Sequence, residues 1–80
     1  MDKLVKYLRK LPPKIRQVLE KEILEILAGK LEEKDVRALT GYKNYFRVRK
    51  GSFRIIFRKS NDKIFIVKVL PRNDRTYLGL

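Results

Sequence analysis

The spacing of the apolar residues changes once along this chain, and that change constrains the fold more than any other feature. Up to about residue 30 apolar side chains recur at helical spacing, whereas from Tyr45 they alternate with polar residues as in β-strands. A chain of 80 residues has room for a single small core. The sequence therefore predicts one domain over residues 1–80, with helices followed by strands.

Two helices are predicted before residue 31. The segment DKLVKYLRKL has apolar residues at helical spacing, and the prolines at 12–13 stop it because proline cannot continue a helix interior. The segment KIRQVLEKEILEILAGK carries a second apolar stripe, with Gly29 placed as the C-terminal cap. We expect a helical hairpin, followed by a connection at 31–44 with a helical turn near 32–35.

Three strands are predicted in the second half, in NYFRVR, SFRIIFR and KIFIVKVL. A two-residue turn at Lys50-Gly51 would place Arg47 opposite Arg54. A three-residue loop at 60–62 would then place Phe57 opposite Phe65. The fold class is α+β, a helical hairpin packed on a three-stranded antiparallel sheet. The face under the helices is predicted to hold Phe46, Val48, Phe53, Ile55, Phe57, Phe65, Val67 and Val69.

The opposite face of this sheet is predicted to be cationic. Like charges directly opposite each other destabilise a sheet by a few tenths to about 1 kcal/mol, so the clustering favours an anionic ligand. Guanidinium groups bind phosphate bidentately, which indicates a phosphate-binding face. The alternative is that these cations only deter aggregation at strand edges. The residues of this face are Tyr45, Arg47, Arg49, Arg54, Ile56, Arg58 and Lys68.

Charge favours a polyanionic partner for the second half. The chain has 21 Lys and Arg against 9 Asp and Glu, a formal net charge of +12. Most of the excess lies in residues 41–80, where the only acidic residues are Asp62 and Asp74. A well-solvated surface is the alternative, and it suits residues 1–40, where carboxylates alternate with lysines.

Composition excludes several classes of chemistry. The absence of cysteine and histidine removes disulfides, thiol nucleophiles, Cys/His zinc sites and histidine acid–base catalysis, so no cofactor and no metal are expected. The sequence shows neither an apolar run of membrane-spanning length nor a signal peptide, so we expect a cytoplasmic protein without a membrane partner.

The C-terminal segment adds Arg72, Arg75 and Tyr77 after the third predicted strand. A tyrosine beside arginines can stack on a base or direct its hydroxyl at a phosphate. Packing of Tyr77 against the core is an equally good interpretation.

The chain resembles the RelE/ParE superfamily of type II toxin–antitoxin toxins. Three stretches carry the resemblance, in this order: LRKLPPKIRQVLEKEI, LTGYKNYFRVRKGSFRIIF and IFIVKVLPRNDRTY. The resemblance implies a ribosome-dependent, metal-independent endoribonuclease that cuts mRNA by attack of a 2′-hydroxyl on the adjacent phosphorus. It also implies a cognate antitoxin as partner, beside mRNA and the ribosome.

The family's functional positions can be carried over to this chain. Its basic strand positions match Arg47 and Arg49, which would hold the RNA backbone. The family's hairpin arginine matches Arg54, and its arginine after the last strand matches Arg72. Its C-terminal tyrosine matches Tyr77. These three residues are expected to be catalytic. The other cations expected to bind RNA are Lys50, Arg58, Lys68 and Arg75.

The chain also departs from the family pattern. Members usually have a strand before the first helix, so this sheet is expected to be one strand short, with an edge that a partner could fill. Arginine is a poor general base, which leaves Lys50, Lys68 or Tyr77 for that role, or a reaction resting mainly on electrostatic stabilisation. Two other functions stay open: ParE-like poisoning of DNA gyrase, and a non-catalytic RNA-binding toxin remnant.

Overall fold

The computed structural model describes residues 3–71 as two helices followed by one antiparallel sheet. The four strands lie side by side in the order in which they occur along the chain. The predicted α+β class is therefore confirmed. The elements are α1 (Lys3–Arg9), α2 (Pro13–Leu27), β1 (Val36–Ala38), β2 (Tyr45–Lys50), β3 (Phe53–Ser60) and β4 (Lys63–Pro71).

Local sequence sets both ends of α2. Pro13 is its first residue, a position where the missing N–H would have no helical partner in any case. Beyond the helix, Gly29 has a φ of 79°, and its N–H donates to the Ile26 carbonyl at 2.9 Å. Since this left-handed conformation favours glycine, the predicted C-terminal cap is confirmed.

The segment predicted to be a connection contains a strand, β1. Val36 pairs with Val48 of β2, and Arg37 pairs with Arg47. A three-residue strand is too short for alternation to be recognised in the sequence. The prediction of three strands is therefore corrected to four, and the extra strand brings Arg37 to the sheet.

The hairpin between β2 and β3 turns at Gly51-Ser52, one residue later than predicted. Lys50 is consequently the last residue of β2 and pairs with Phe53. Gly51 has a φ of 57°, the sign that the first central residue of a type II′ turn requires and that glycine adopts without strain. The predicted turn at Lys50-Gly51 was wrong because it placed glycine second.

This turn changes which arginines face each other. Arg54 lies opposite Arg49, whereas the sequence predicted Arg47 as its partner. The shift along β3 is two residues, and a two-residue shift returns every side chain to the same face. The predicted faces of β2 and β3 are therefore retained although the predicted pairs were wrong.

The second hairpin also turns more tightly than predicted. Ser60 pairs with Lys63, so the loop is Asn61-Asp62 rather than the three residues 60–62. Asn61 takes a positive φ of 56°, which asparagine tolerates better than most residues.

An irregularity in the β3–β4 ladder then reverses the alternation along β4. Ile56 pairs with Lys68, but Phe57 pairs with Ile66, which leaves Val67 as the extra residue of a bulge. Phe65 and Val67 therefore lie on the face away from the helices, whereas the sequence predicted both on the face under the helices.

The sheet has an apolar cluster on each face. The cluster under the helices joins Leu8, Leu19, Ile23 and Ile26 to Val48, Ile55, Phe57 and Val69, with Phe46, Phe53, Ile64 and Ile66 packed against it. The cluster on the opposite face is smaller and consists of Leu39, Ile56 and Leu70, with Tyr42, Tyr45 and Val67 at its margin.

Candidate nucleic-acid interface

The face of the sheet opposite the helices carries most of the basic residues that the sequence singled out. Alternation along each strand places them there, since their neighbours Val48, Ile55 and Phe57 are fully buried under the helices. We call this surface the arginine face. It consists of Arg37, Arg47, Arg49, Arg54, Arg58 and Lys68.

Cross-strand pairing sets these cations against one another. Arg37 lies opposite Arg47, and Arg49 lies opposite Arg54. Each pair costs a few tenths to about 1 kcal/mol relative to neutral side chains. Two such pairs on adjacent strands concentrate positive charge on this face, which favours binding of an anion.

The arginines stand on a small apolar layer. Ile56 is completely buried at the centre of the face, flanked by Leu39 and Leu70. Beside it, the rings of Tyr42 and Tyr45 meet edge to face with centroids 6.0 Å apart. This packing explains why the stems of Arg47 and Arg54 are partly buried while Arg49 is exposed.

One guanidinium nitrogen on this face stands out. Nη1 of Arg47 is buried, and within residues 3–71 it has no hydrogen-bond partner. A buried N–H group without a partner costs about 1–3 kcal/mol, more when it is charged. An acceptor atom from outside the described part of the chain would satisfy this donor.

One carboxylate lies at the border of the arginine face. Asp35 accepts a hydrogen bond from Nε of Arg37 at 3.5 Å, and its other oxygen is 4.0 Å from Nη1 of Arg49. All three side chains are well exposed, so these ion pairs contribute little to stability and an incoming phosphate can compete with them.

Lys50 lies on the other side of the sheet. Its partner Phe53 packs in the cluster under the helices, and its Nζ is 3.7 Å from Oε1 of Glu22 in α2. The structure thus separates Lys50 from the arginines with which the sequence grouped it.

Glu22 is the centre of an ionic cluster that ties α2 to the following loop. It is only 4% exposed, and its Oε1 is 3.1 Å from Nζ of Lys34, which also donates a hydrogen bond to Glu25 at 2.7 Å. Burial opposes protonation of Lys34, but the hydrogen bonds to Glu25 and Glu22 outweigh it and raise its pKa. The same hydrogen bond lowers the pKa of Glu25 below 4.5.

The sequence predictions for the site divide into three groups. Arg47, Arg49, Arg54, Arg58 and Lys68 are brought together on the arginine face, as their alternation indicated. Lys50 is placed elsewhere. The remaining three, Arg72, Arg75 and Tyr77, lie outside the described residues.

Two residues of this face were missed. Arg37 belongs to a strand that was predicted to be a connection, and only the short alternation Val-Arg-Ala-Leu at 36–39 pointed to it. Phe65 was assigned to the core, but it is 43% exposed, and the guanidinium carbon of Arg58 lies 5.0 Å from its ring centroid. No local sequence signal reveals the bulge that places it there.

Other kinds of site are not indicated in the described part. Within residues 3–71 no group of three His, Cys, Asp or Glu side chains is arranged to hold a metal ion. Neither helix there is long and apolar enough to cross a membrane.

The sequence model of the ParE toxin of the type II toxin–antitoxin system parDE matches residues 1–76. The chain therefore belongs to this family, within the RelE/ParE superfamily of type II toxin–antitoxin toxins.

A solved structure supports the same assignment. The chain is similar to a chain in the crystal structure of the RelB-RelE antitoxin-toxin complex from Methanococcus jannaschii, with 31% sequence identity and a TM-score of 0.72. The match covers 90% of this chain and 87% of the other. Comparison with curated protein sequences gave no significant match.

Proposed function

We propose that this toxin is a metal-independent endoribonuclease that cuts mRNA on the ribosome and thereby inhibits translation. The observation that carries the proposal is the arginine face, and within it the buried Nη1 of Arg47 that lacks a partner in residues 3–71. A phosphate oxygen would satisfy that donor. The opposed arginine pairs favour the same ligand, because two phosphate groups would neutralise their mutual repulsion.

The reaction would use the RNA's own nucleophile. The 2′-oxygen forms a bond to the adjacent phosphorus, the bond from phosphorus to the 5′-oxygen breaks, and the products carry a 2′,3′-cyclic phosphate and a 5′-hydroxyl. The 2′-hydroxyl gives its proton to a base, and the leaving 5′-oxygen takes one up. Negative charge grows on the phosphorane oxygens, where we assign Arg54 to stabilise it while Arg47 and Arg49 hold the backbone.

The position of the lysines narrows the choice of general base. Lys50 is held near Glu22 on the helix side of the sheet, 3.7 Å from its carboxylate. Lys68 lies opposite Ile56 on the arginine face and is the better placed of the two. Tyr77 remains the other candidate, and Arg72 the second group proposed to stabilise the phosphorane. Both lie outside the described residues.

We also propose an antitoxin partner with an acidic, extended segment. Within residues 3–71, β4 is an edge strand of nine residues, long enough to accept a further strand through backbone hydrogen bonds. An open groove of about 340 Å³ runs along this edge and is lined by Leu4 and Tyr7 of α1 and by residues 67–71. Acidic side chains of the same segment would reach the arginine face and exclude RNA.

Poisoning of DNA gyrase is the second candidate, and the name of the matching family favours it. The exposed apolar side chains of α2 offer a surface for protein contact, with Val18 48% and Leu24 67% exposed. The arginine face favours RNA because it concentrates donors where a phosphate backbone would lie.

A reconstituted translation system tests the proposal. We expect the purified toxin to cut a defined mRNA only when ribosomes are translating it, leaving new 5′ ends at codon positions. The Arg54→Ala variant should leave the mRNA intact. Unchanged mRNA together with inhibited gyrase supercoiling would support the second candidate instead.

A further inference from the structure

On the same side of the sheet as the arginine face, the fold leaves the large apolar side chain of Phe65 in solvent. Phe65 is 43% exposed, whereas Ile56 and Leu70 on the same face are 0% and 8% exposed. Its neighbours Ile64 and Ile66 point the other way and pack against the core under the helices. The ring therefore stands on the phosphate-binding side of the sheet without filling the core.

The ring also belongs to an ordered row across the sheet. Tyr45 of β2 lies opposite Arg58 of β3, and Arg58 lies opposite Phe65 of β4. The Arg58 guanidinium carbon is 5.0 Å from the centroid of the Phe65 ring, within the range of a cation–π contact. This contact restricts both side chains, so a partner that stacks there loses less side-chain entropy than it would on two mobile groups.

The row continues the line of phosphate donors. Tyr45, Arg47 and Arg49 are successive outward positions of β2, each about 6.6 Å from the next along the strand. Arg58, Ile56 and Arg54 are the matching positions of β3. An RNA strand whose phosphates lie over Arg47 and Arg54 would thus bring a neighbouring nucleotide to the row of Arg58 and Phe65.

We propose that Phe65, braced by Arg58, is a stacking platform for one unpaired base of the RNA substrate. The inference rests on the proposed function and extends it by assigning a base-contacting residue beside the phosphate-binding arginines. Single-stranded RNA is typically bound in this way, with bases stacked on aromatic rings or guanidinium planes. The platform is open because Phe65 lies on the edge strand of the described sheet.

The test compares the toxin with its Phe65 variants in binding short single-stranded RNA at low salt. Phe65→Leu keeps an apolar side chain but removes the aromatic face, and we expect it to weaken binding about five- to hundredfold. Phe65→Trp should restore wild-type affinity. The salt slope of Phe65→Leu should equal that of the wild type, because stacking releases no counterions, whereas Arg58→Gln should lower the slope by about one.

An abasic RNA identifies the contact. Replacing one base at a time by an abasic site should reduce wild-type binding at one position, and the same RNA should cost Phe65→Leu nothing more. The inference would be overturned if Phe65→Leu bound RNA as tightly as the wild type. It would also be overturned if the abasic site reduced wild-type affinity equally at every position of the RNA. Loss of antitoxin binding without loss of RNA binding would overturn it too, because Phe65 would then be a protein contact.

The inference and the proposed function can fail separately. Base-dependent binding through Phe65 in a toxin that cuts no mRNA would support the inference and contradict the nuclease. Codon-phased cleavage that is unchanged by Phe65→Leu would support the nuclease and contradict the stacking role of Phe65.

Discussion

Arg49 and Arg54 lie directly opposite each other in adjacent strands, on the face of the sheet that the helices leave uncovered. An oxygen of Asp35 lies 4.0 Å from Nη1 of Arg49, and the next residue across from Arg54 is Leu70 of β4. Like charges directly opposite each other in a sheet repel, so this pair favours a ligand that carries negative charge.

The first prediction concerns Arg54. Arg54→Ala should abolish growth arrest on induction, because it removes the guanidinium assigned to the scissile phosphate, while the protein stays folded. Lys59→Ala is the matched control: it removes one positive charge from the same strand, but on the helix side, where Lys59 lies 6.0 Å from the ring of Phe46. A folded Arg54→Ala protein that retains full toxicity would contradict the catalytic assignment.

The second prediction concerns salt. Affinity of the toxin for ribosomes or RNA should fall steeply with ionic strength, because each Lys or Arg contact to a phosphate releases a counterion. Substituting Arg47 by alanine should reduce the slope of log affinity against log salt by about one. A wild-type slope near zero would show that the arginine face does not bind a polyanion.

The third prediction concerns the ionic cluster of Glu22. Lys34→Met should destabilise the protein by roughly 1–3 kcal/mol, because within residues 3–71 it leaves the buried Glu22 carboxylate with only the Lys50 ammonium, at 3.7 Å. Adding Glu22→Gln to Lys34→Met should recover part of the loss. Urea unfolding of the two variants measures both effects. If Lys34→Met were as stable as the wild type, the ionic cluster would be dispensable for stability.

The fourth prediction is the pH dependence of the same cluster. The pKa of Glu25 is lowered by its hydrogen bond to Lys34, so its stabilising contribution is present above about pH 4.5 and is lost as the pH falls through the folded-state value. Lys34 has a raised pKa, so its contribution is present below 10.5 and is lost at higher pH. In Lys34→Met the dependence above pH 10.5 should disappear from the unfolding free energy, and the acid dependence due to Glu25 should shrink, because only Lys21 and Lys30 still favour its charged form.

The fifth prediction concerns the antitoxin. Co-expression with the cognate antitoxin should give a complex with a higher melting temperature than the toxin alone, since a partner that binds only the folded state stabilises it. The same complex should not cleave RNA. A complex that forms while stability and activity are unchanged would show that neutralisation does not proceed by the proposed occupancy of the face and edge.

The sequence predicts the features of this structure that depend on neighbouring residues, and it misses those that depend on contacts between distant segments. Alternation placed Arg47, Arg54 and Arg58 on one face correctly, because that signal is local and survives a two-residue change of register. Alternation could not place Phe65, since the bulge at Val67 of β4 depends on how β3 and β4 fit together.

The remaining misses have similar causes. The strand Val36–Ala38 exists because β2 offers it an edge, and three residues carry too little pattern to predict it. The separation of Lys50 from the arginines follows from the turn at Gly51-Ser52, which makes Lys50 the last residue of β2 and places it on the face opposite to Arg49. There its ammonium meets Glu22, which lies 28 positions earlier in the sequence.

The most direct test of the central claim is a map of RNA 5′ ends across the transcriptome shortly after induction of the toxin. If the arginine face cuts mRNA on the ribosome, new ends will cluster inside translated regions in phase with codons, and they will be absent from cells that express Arg54→Ala. Growth arrest with no codon-phased ends, accompanied by DNA double-strand breaks, would contradict the account.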